Sequence, residues 1–203
     1  MIIKKVLFDF GGVVMYLKDP KPREALAARY NTTVDELINI VYLQESAQLA
    51  TLGKMKAKEH WEKVREKFEL SHEELKTFQS EFWGGDKIDW ALIEFIRGLH
   101  PHYTTALLSN AWDDLRSAMV NDWKIIDVFQ HVFISAELGI AKPGREIYQY
   151  VIEQLGCEPH EAVFLDDMPK NVGGAREAGL NAIHFRSREQ ALGELRELLD
   201  NEL

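Results

Sequence analysis

Five short apolar runs rich in β-branched and aromatic residues punctuate the chain, at residues 2–8, 103–108, 131–134, 162–165 and 181–185. Continuous apolar runs of this length, set between polar helical stretches, suit strands buried on both faces of a parallel sheet. Between the later runs, residues 147–155 and 171–178 carry apolar side chains near helical spacing. Gly156 and Gly179 follow them where C-terminal caps belong. The alternation of strand and helix predicts an α/β protein with a doubly wound parallel sheet.

The first two strands break this rhythm, because residues 9–102 lie between them. From Pro22 to Phe82 the pattern is strand-poor and helical. Thr33 to Glu36 and Ser71 to Glu74 resemble N-terminal capping boxes. Residues 54–68 are strongly charged, with Trp61, Val64 and Phe68 at helical spacing. Gly84 and Gly85 then interrupt the pattern before a helix over residues 90–99 leads into the second strand. The expected organisation is an all-helical insert of residues 16–86 within a core formed by residues 1–15 and 87–203. There are no internal repeats, low-complexity tracts or linkers of note.

A length of 203 residues suffices for one sizeable core with a smaller insert. With 46% hydrophobic and 28% charged residues, the composition is that of a globular protein rather than a disordered one. The formal net charge of -9 speaks against nucleic acid as a partner. It leaves room for a small anionic substrate, which one cation and a few donors can capture. The single Cys157 permits no internal disulfide, which fits a reducing compartment. No apolar run approaches the ~20 residues of a membrane span, and the N-terminus lacks the pattern of a signal peptide. The expectation is a cytoplasmic protein with no membrane partner; the sequence is silent on its oligomeric state.

Four polar clusters each follow a predicted strand. The first is Asp9-Phe10-Gly11-Gly12, with a carboxylate at a strand end and two glycines that let the backbone turn tightly. The second is Ser109-Asn110, before a helix expected from Ala111; this pair suits either phosphate donors or an N-cap. The third is Lys142, held before Pro143, either a partner for a carboxylate and a phosphate or a solvated lysine. The fourth is Asp166-Asp167, two adjacent carboxylates whose repulsion a cation would relieve. Magnesium, which takes oxygen ligands from one or two carboxylates plus substrate phosphate, suits such a pair. If the five strands run 3-2-1-4-5 with right-handed crossovers, all four clusters converge on one edge, with Asp9 beside Asp166 and Asp167.

In these motifs, and in the position and length of the insert, the chain resembles the haloacid-dehalogenase-like (HAD) superfamily. Within it, the chain looks most similar to the α-D-glucose-1-phosphate phosphatases and the N-terminal phosphatase-like domain of some epoxide hydrolases. The resemblance implies a magnesium-dependent phosphomonoester hydrolase acting on a small phosphorylated metabolite, for example a sugar phosphate. Asp9 would form an aspartyl-phosphate. Asp9, the Gly11 carbonyl and Asp167 would hold Mg2+, with Asp166 supporting or sharing it. Ser109, Asn110 and Lys142 would grip the phosphoryl group, and the insert would act as a cap over the site. Many phosphatases of the superfamily carry a second Asp, a general acid and base, two residues after the nucleophile; this chain has Gly11 there. A cap residue such as Glu45 is one alternative proton source. The rival readings are a haloacid dehalogenase and a non-catalytic binding or regulatory module that keeps the fold. Other conspicuous residues read as structural: Trp61 and Trp83 as cap core, residues 54–69 as a solvated helix face, and His100 and His102 as surface loop.

Overall fold

The computed structural model describes residues 2–199. Its strands are β1 (Lys5–Phe8), β2 (Met15–Leu17), β3 (Asp86–Ile88), β4 (Thr104–Ser109), β5 (His131–Ile134), β6 (Ala162–Asp166) and β7 (Asn181–His184). Five of them form a fully parallel sheet in the order β5-β4-β1-β6-β7, the expected 3-2-1-4-5 arrangement. Phe8 stands level with Leu107 on one side and Leu165 on the other, so the chain leaves all three central strands at one edge.

The period-two alternation of strand side chains divides the core into two layers. Val6, Phe8, Leu107, Val163 and Leu165 face one layer, packed with Ile93 and Ile96 of helix Trp90–Leu99 and Leu192 and Leu195 of helix Arg188–Leu198. Leu7, Ala106, Leu108 and Phe164 face the other, against Ile147, Tyr148 and Val151 of helix Arg145–Leu155 and Ala175 of helix Pro169–Glu177. Burial on both faces is why these strands read as continuous apolar runs. Each such side chain removed from water contributes about 1.5–3 kcal/mol.

Between β2 and β3 lie the helices Lys21–Arg29, Val34–Ile38, Glu45–Thr51, Ala57–Lys67 and His72–Phe82, with a π-helical segment at Asn39–Leu43. They close on a separate apolar cluster that includes Leu26, Leu37, Trp61, Val64, Phe78 and Phe82. Ser71 and Glu74 complete the expected capping box. Thr33 caps through the Glu36 N–H, but the Glu36 carboxylate accepts from the Thr32 hydroxyl instead of returning to its cap.

The strand pattern gave no sign of the neck of this insert, an antiparallel β2–β3 ribbon pairing Met15 with Ile88 and Leu17 with Asp86. Arg23 braces it from the helical side. Its guanidinium pairs with Asp86 at 2.5 Å, donates to the Phe82 carbonyl at 2.9 Å and lies over the Phe82 ring. His102 is exposed as expected, whereas His100 is half-buried and donates through Nε2 to the Val128 carbonyl at 2.7 Å. No helix among the described residues is long and apolar enough to cross a membrane.

His60 is fully buried inside the helical cluster. Its Nε2 donates to the Val41 carbonyl and its Nδ1 lies against the Ser46 hydroxyl, both at 2.9 Å, partners that suit a neutral imidazole with its proton on Nε2. Burial holds its pKa below the ordinary 6.5, outweighing the opposing hydrogen bond to Val41. A proton therefore binds the unfolded chain more tightly than the folded one. The stability His60 contributes is complete above pH ~6.5 and is lost as pH falls through the depressed folded value. Thermal denaturation from pH 7.5 to 5 should show a decline on the acid side that is shallower in His60→Gln; equal slopes would remove His60 as the cause.

Candidate active site

Asp9 is the first residue past β1, and its N–H donates to the Leu165 carbonyl of β6 at 2.9 Å. This bond carries the sheet pairing one step beyond the strand and fixes where the carboxylate leaves the backbone. The Phe10 N–H donates to Asp9 Oδ1 at 2.6 Å, and the Phe10 carbonyl accepts from Val14 and Met15 at 2.9 and 2.8 Å. The turn thus doubles back at once. Gly12 makes that possible with φ +76°, and a Cβ there would lie 2.3 Å from Asp167 Oδ2. Only glycine permits both the turn and the close approach of that carboxylate.

Lys142 is buried, its side chain fully removed from solvent. Its ammonium donates to Asp9 Oδ1 at 2.9 Å, Asp166 Oδ2 at 2.7 Å and the Leu108 carbonyl at 2.9 Å, and sits 4.9 Å from the Phe164 ring centre. The solvated reading of this lysine is therefore excluded. Its backbone is clamped by Asn110, whose Oδ1 accepts from the Lys142 N–H at 2.9 Å and whose Nδ2 donates to the Lys142 carbonyl at 2.8 Å. The Asn110 side chain is thereby engaged in holding Lys142.

The helix expected from Ala111 begins only at Leu115. Residues 111–113 are drawn away by tertiary partners instead: the Ala111 N–H donates to Ser135 Oγ at 3.1 Å, and the Asp113 carboxylate accepts from the Ala57 N–H at 2.9 Å. Ser109 and Asn110 consequently do not stand at a helix N-terminus. Ser109 is buried at the end of β4, and its hydroxyl makes no hydrogen bond among the described residues. The N–H groups of Gly11 and Asn110 likewise meet no acceptor among the described residues.

The two neighbouring aspartates differ sharply. Asp166 is fully buried with both oxygens occupied: Oδ1 accepts from the Met168 N–H (2.8 Å) and Asn171 Nδ2 (3.1 Å), Oδ2 from Lys142 and Asn171. Asp167 is half-buried, and its carboxylate accepts no hydrogen bond from any other described residue. Its backbone carbonyl accepts from His184 Nε2 at 3.0 Å. Burial, and then the charge of Asp166, push the Asp167 pKa up. Burial pushes Asp9 up to about 7; Lys142 pulls against that rise, and Asp166 adds to it.

Oxygens of Asp9, Asp166 and Asp167 lie within 4.8 Å of one another. An all-oxygen donor set with one free carboxylate and excess negative charge fits a hard divalent cation such as magnesium. Gly11 is exposed, with open space where a side chain would project.

The fold thus gathers Asp9, Gly11, Ser109, Asn110, Lys142, Asp166 and Asp167 at one edge of the sheet. Asn171, His184 and Trp112 were not singled out in the sequence. Asn171 stands in the first turn of helix Pro169–Glu177, and its spacing from Asp166 was the one signal that it turns back to the strand end.

A family model described as "Hydrolase: haloacid dehalogenase-like hydrolase" matches residues 3–179. The chain is 27% identical over 190 residues to the D-ribitol-5-phosphate phosphatase of Bacteroides thetaiotaomicron, covering 88% of this chain and 89% of that one. It is 34% identical over 97 residues to the bifunctional epoxide hydrolase 2 of Rattus norvegicus, covering 46% of this chain and 18% of that protein. A HAD-family enzyme of Bacteroides thetaiotaomicron, crystallised with magnesium and inorganic phosphate, superposes with a TM-score of 0.76 at 23% identity, over 93% of this chain and 98% of that one. With a strand-end aspartate, a buried lysine and a late acidic pair brought to one sheet edge, and the family model spanning most of its length, the chain belongs to the haloacid dehalogenase-like hydrolases.

Proposed function

We propose that the protein is a magnesium-dependent phosphomonoester hydrolase that forms an aspartyl-phosphate on Asp9 and acts on a small phosphorylated metabolite. The observation that carries this reading is the asymmetry of the carboxylates. Asp9 is held by Lys142 and the Phe10 N–H, Asp166 is saturated by protein donors, and Asp167 alone stands uncompensated beside them. The similarity to a sugar-alcohol phosphate phosphatase over most of both chains supports the same reaction class.

In this reading Asp9, the Gly11 carbonyl and Asp167 hold the magnesium, and Asp166 supports them through Lys142. When bound, the ion neutralises the phosphoryl oxygens and screens the carboxylates from the anionic substrate. An Asp9 oxygen attacks phosphorus, the bond from phosphorus to the ester oxygen breaks, and that oxygen leaves with the electron pair. Lys142 keeps the Asp9 carboxylate oriented and offsets the rise in its pKa caused by burial. The Ser109 hydroxyl and the free N–H groups of Gly11 and Asn110 receive the phosphoryl oxygens, a preorganised set of donors. Water then attacks the same phosphorus, the bond to Asp9 breaks, and inorganic phosphate and the carboxylate are regenerated. The helices between β2 and β3 form a cap, residues 16–86, that selects the leaving group. A haloacid dehalogenase, the rival reading, displaces halide from carbon without a cation and leaves the uncompensated Asp167 without a purpose.

Asp9→Asn should reduce turnover of an aryl phosphate below about a thousandth of wild type, and chelating magnesium should do the same to the unaltered protein. Retained turnover in a contaminant-free variant would end the covalent mechanism.

The two aspartates should part in metal-free thermal denaturation. Asp166→Asn removes a partner of the buried Lys142 and should cost on the order of 3 kcal/mol. Asp167→Asn should leave stability equal or higher, while raising the magnesium concentration needed for activity. The reverse ranking would exchange their roles.

Gly11 supplies no proton, and a positioned general acid is typically worth ~10²–10⁴-fold. Chemical rates across phosphate esters of similar size should therefore rise steeply with leaving-group acidity. Gly11→Asp, for which the turn has space, should flatten that series. A flat series in the wild type would mean that an efficient acid resides elsewhere.

A further inference from the structure

The residues that leave β4 are held in turn by different parts of the molecule. Asn110 is bonded on both sides of its amide to the Lys142 backbone. The Ala111 carbonyl accepts from the Ser135 hydroxyl and the Ala136 N–H, at 3.2 and 3.3 Å. Trp112 then leaves the core altogether. Only 8% exposed, it is buried in the apolar cluster of the cap, its ring 4.7 Å from His60, 5.8 Å from Trp61 and 6.1 Å from Tyr42. Asp113 next caps helix Ala57–Lys67 through the Ala57 N–H and pairs with Lys56 at 3.1 Å.

A second contact seats the cap at the same place. Gly53, with φ +66°, lies so close to the Ala136 carbonyl that a Cβ would stand 2.0 Å from it. Ala136 is the residue whose N–H holds Ala111. One residue separates Asn110 from Trp112, and consecutive Cα atoms are ~3.8 Å apart, so there is no slack to absorb movement of the ring. The cap therefore moves off the core only by withdrawing Trp112 from its socket or by dragging the turn with it.

We infer that Trp112 is a positioning residue that couples docking of the cap to the Ser109–Asn110 turn, so that the turn is set to grip phosphate only while the cap is seated. This rests on the phosphatase reading of Ser109 and Asn110. Trp112 is not among the residues proposed to hold phosphate or metal; it acts through the single intervening residue, Ala111.

The test measures kcat and KM for a small aryl phosphate and Ki for inorganic phosphate, with magnesium present, in Trp112→Ala and Trp112→Phe. Amide hydrogen exchange at residues 57–61 and 110–113 is followed in parallel. Trp112→Ala should lower kcat by about 10²-fold, raise Ki for phosphate by roughly tenfold and speed exchange in both segments, because small misplacements at a site cost that much. Trp112→Phe, which refills most of the socket, should return kcat to within about fivefold of wild type. A purely structural role would lower the melting temperature and leave Ki unchanged. A folded Trp112→Ala with wild-type kcat and Ki overturns the coupling. If that variant does not fold, Asp113→Ala, which cuts a half-buried link, decides on the same criterion: raised Ki supports the coupling and unchanged Ki overturns it. The wild type and Asp9→Asn measured alongside separate the two claims. No turnover by the wild type with magnesium present defeats the phosphatase reading itself, and turnover that survives in Asp9→Asn defeats the covalent role of Asp9, whereas its loss there beside an unaffected Trp112→Ala defeats the coupling alone.

Discussion

A buried ammonium holds this molecule's chemistry together. Without acceptors, the Lys142 charge would be far too costly to bury. It is tolerated because Asp9 follows β1, Asp166 ends β6 and the Leu108 carbonyl lies in β4, so three strands deliver oxygen to one point. Each of these acceptors is fixed in its turn. The Phe10 N–H orients Asp9, Asn171 and the Met168 N–H orient Asp166, and Asn110 grips the lysine's own backbone. The same arrangement sets the character of Asp9. Burial favours its neutral form, and Lys142 opposes that tendency.

The saturation of Asp166 gives its neighbour a different character. Two adjacent aspartates in sequence suggest interchangeable ligands, yet one is woven into the protein's hydrogen bonding and the other is left open. The difference comes from side-chain direction at the end of β6. Asp166 is the last strand residue and points toward Lys142, whereas Asp167 lies beyond it, against a glycine that leaves room for it.

Much of this was legible in the sequence. The core strands are short, buried on both faces and therefore continuously apolar, and the chirality of parallel crossovers restricts their order. Once the order holds, the four polar clusters must meet. The β2–β3 ribbon was not legible, because Tyr16, Leu17 and Lys87 are exposed in it and its strands have three residues each. The helix expected from Ala111 was misplaced because Ser109 and Asn110 look like caps, while the partners that hold residues 110–113 come from Lys142, Ser135 and Ala57, remote in sequence. The burial of Lys142 was equally hidden, since a lysine before a proline in a loop is ordinarily solvated. Trp112 carried no signal of its own in the sequence; only the fold places its ring in the apolar cluster of the helices between β2 and β3.

The strand order also has a meaning in time. Asp9 follows β1, which precedes the other strands of the sheet in the chain and lies at its middle, yet pairs with β4 and β6, which are made far later. A nascent chain thus carries the Asp9 carboxylate long before it possesses Lys142 or Asp166. The helical insert, whose contacts are mostly local, has the means to organise during that interval, since local contacts form faster than distant strand pairings. The acid therefore exists early, while the Lys142 ammonium that holds it and the Asp166 charge beside it arrive only much later in synthesis.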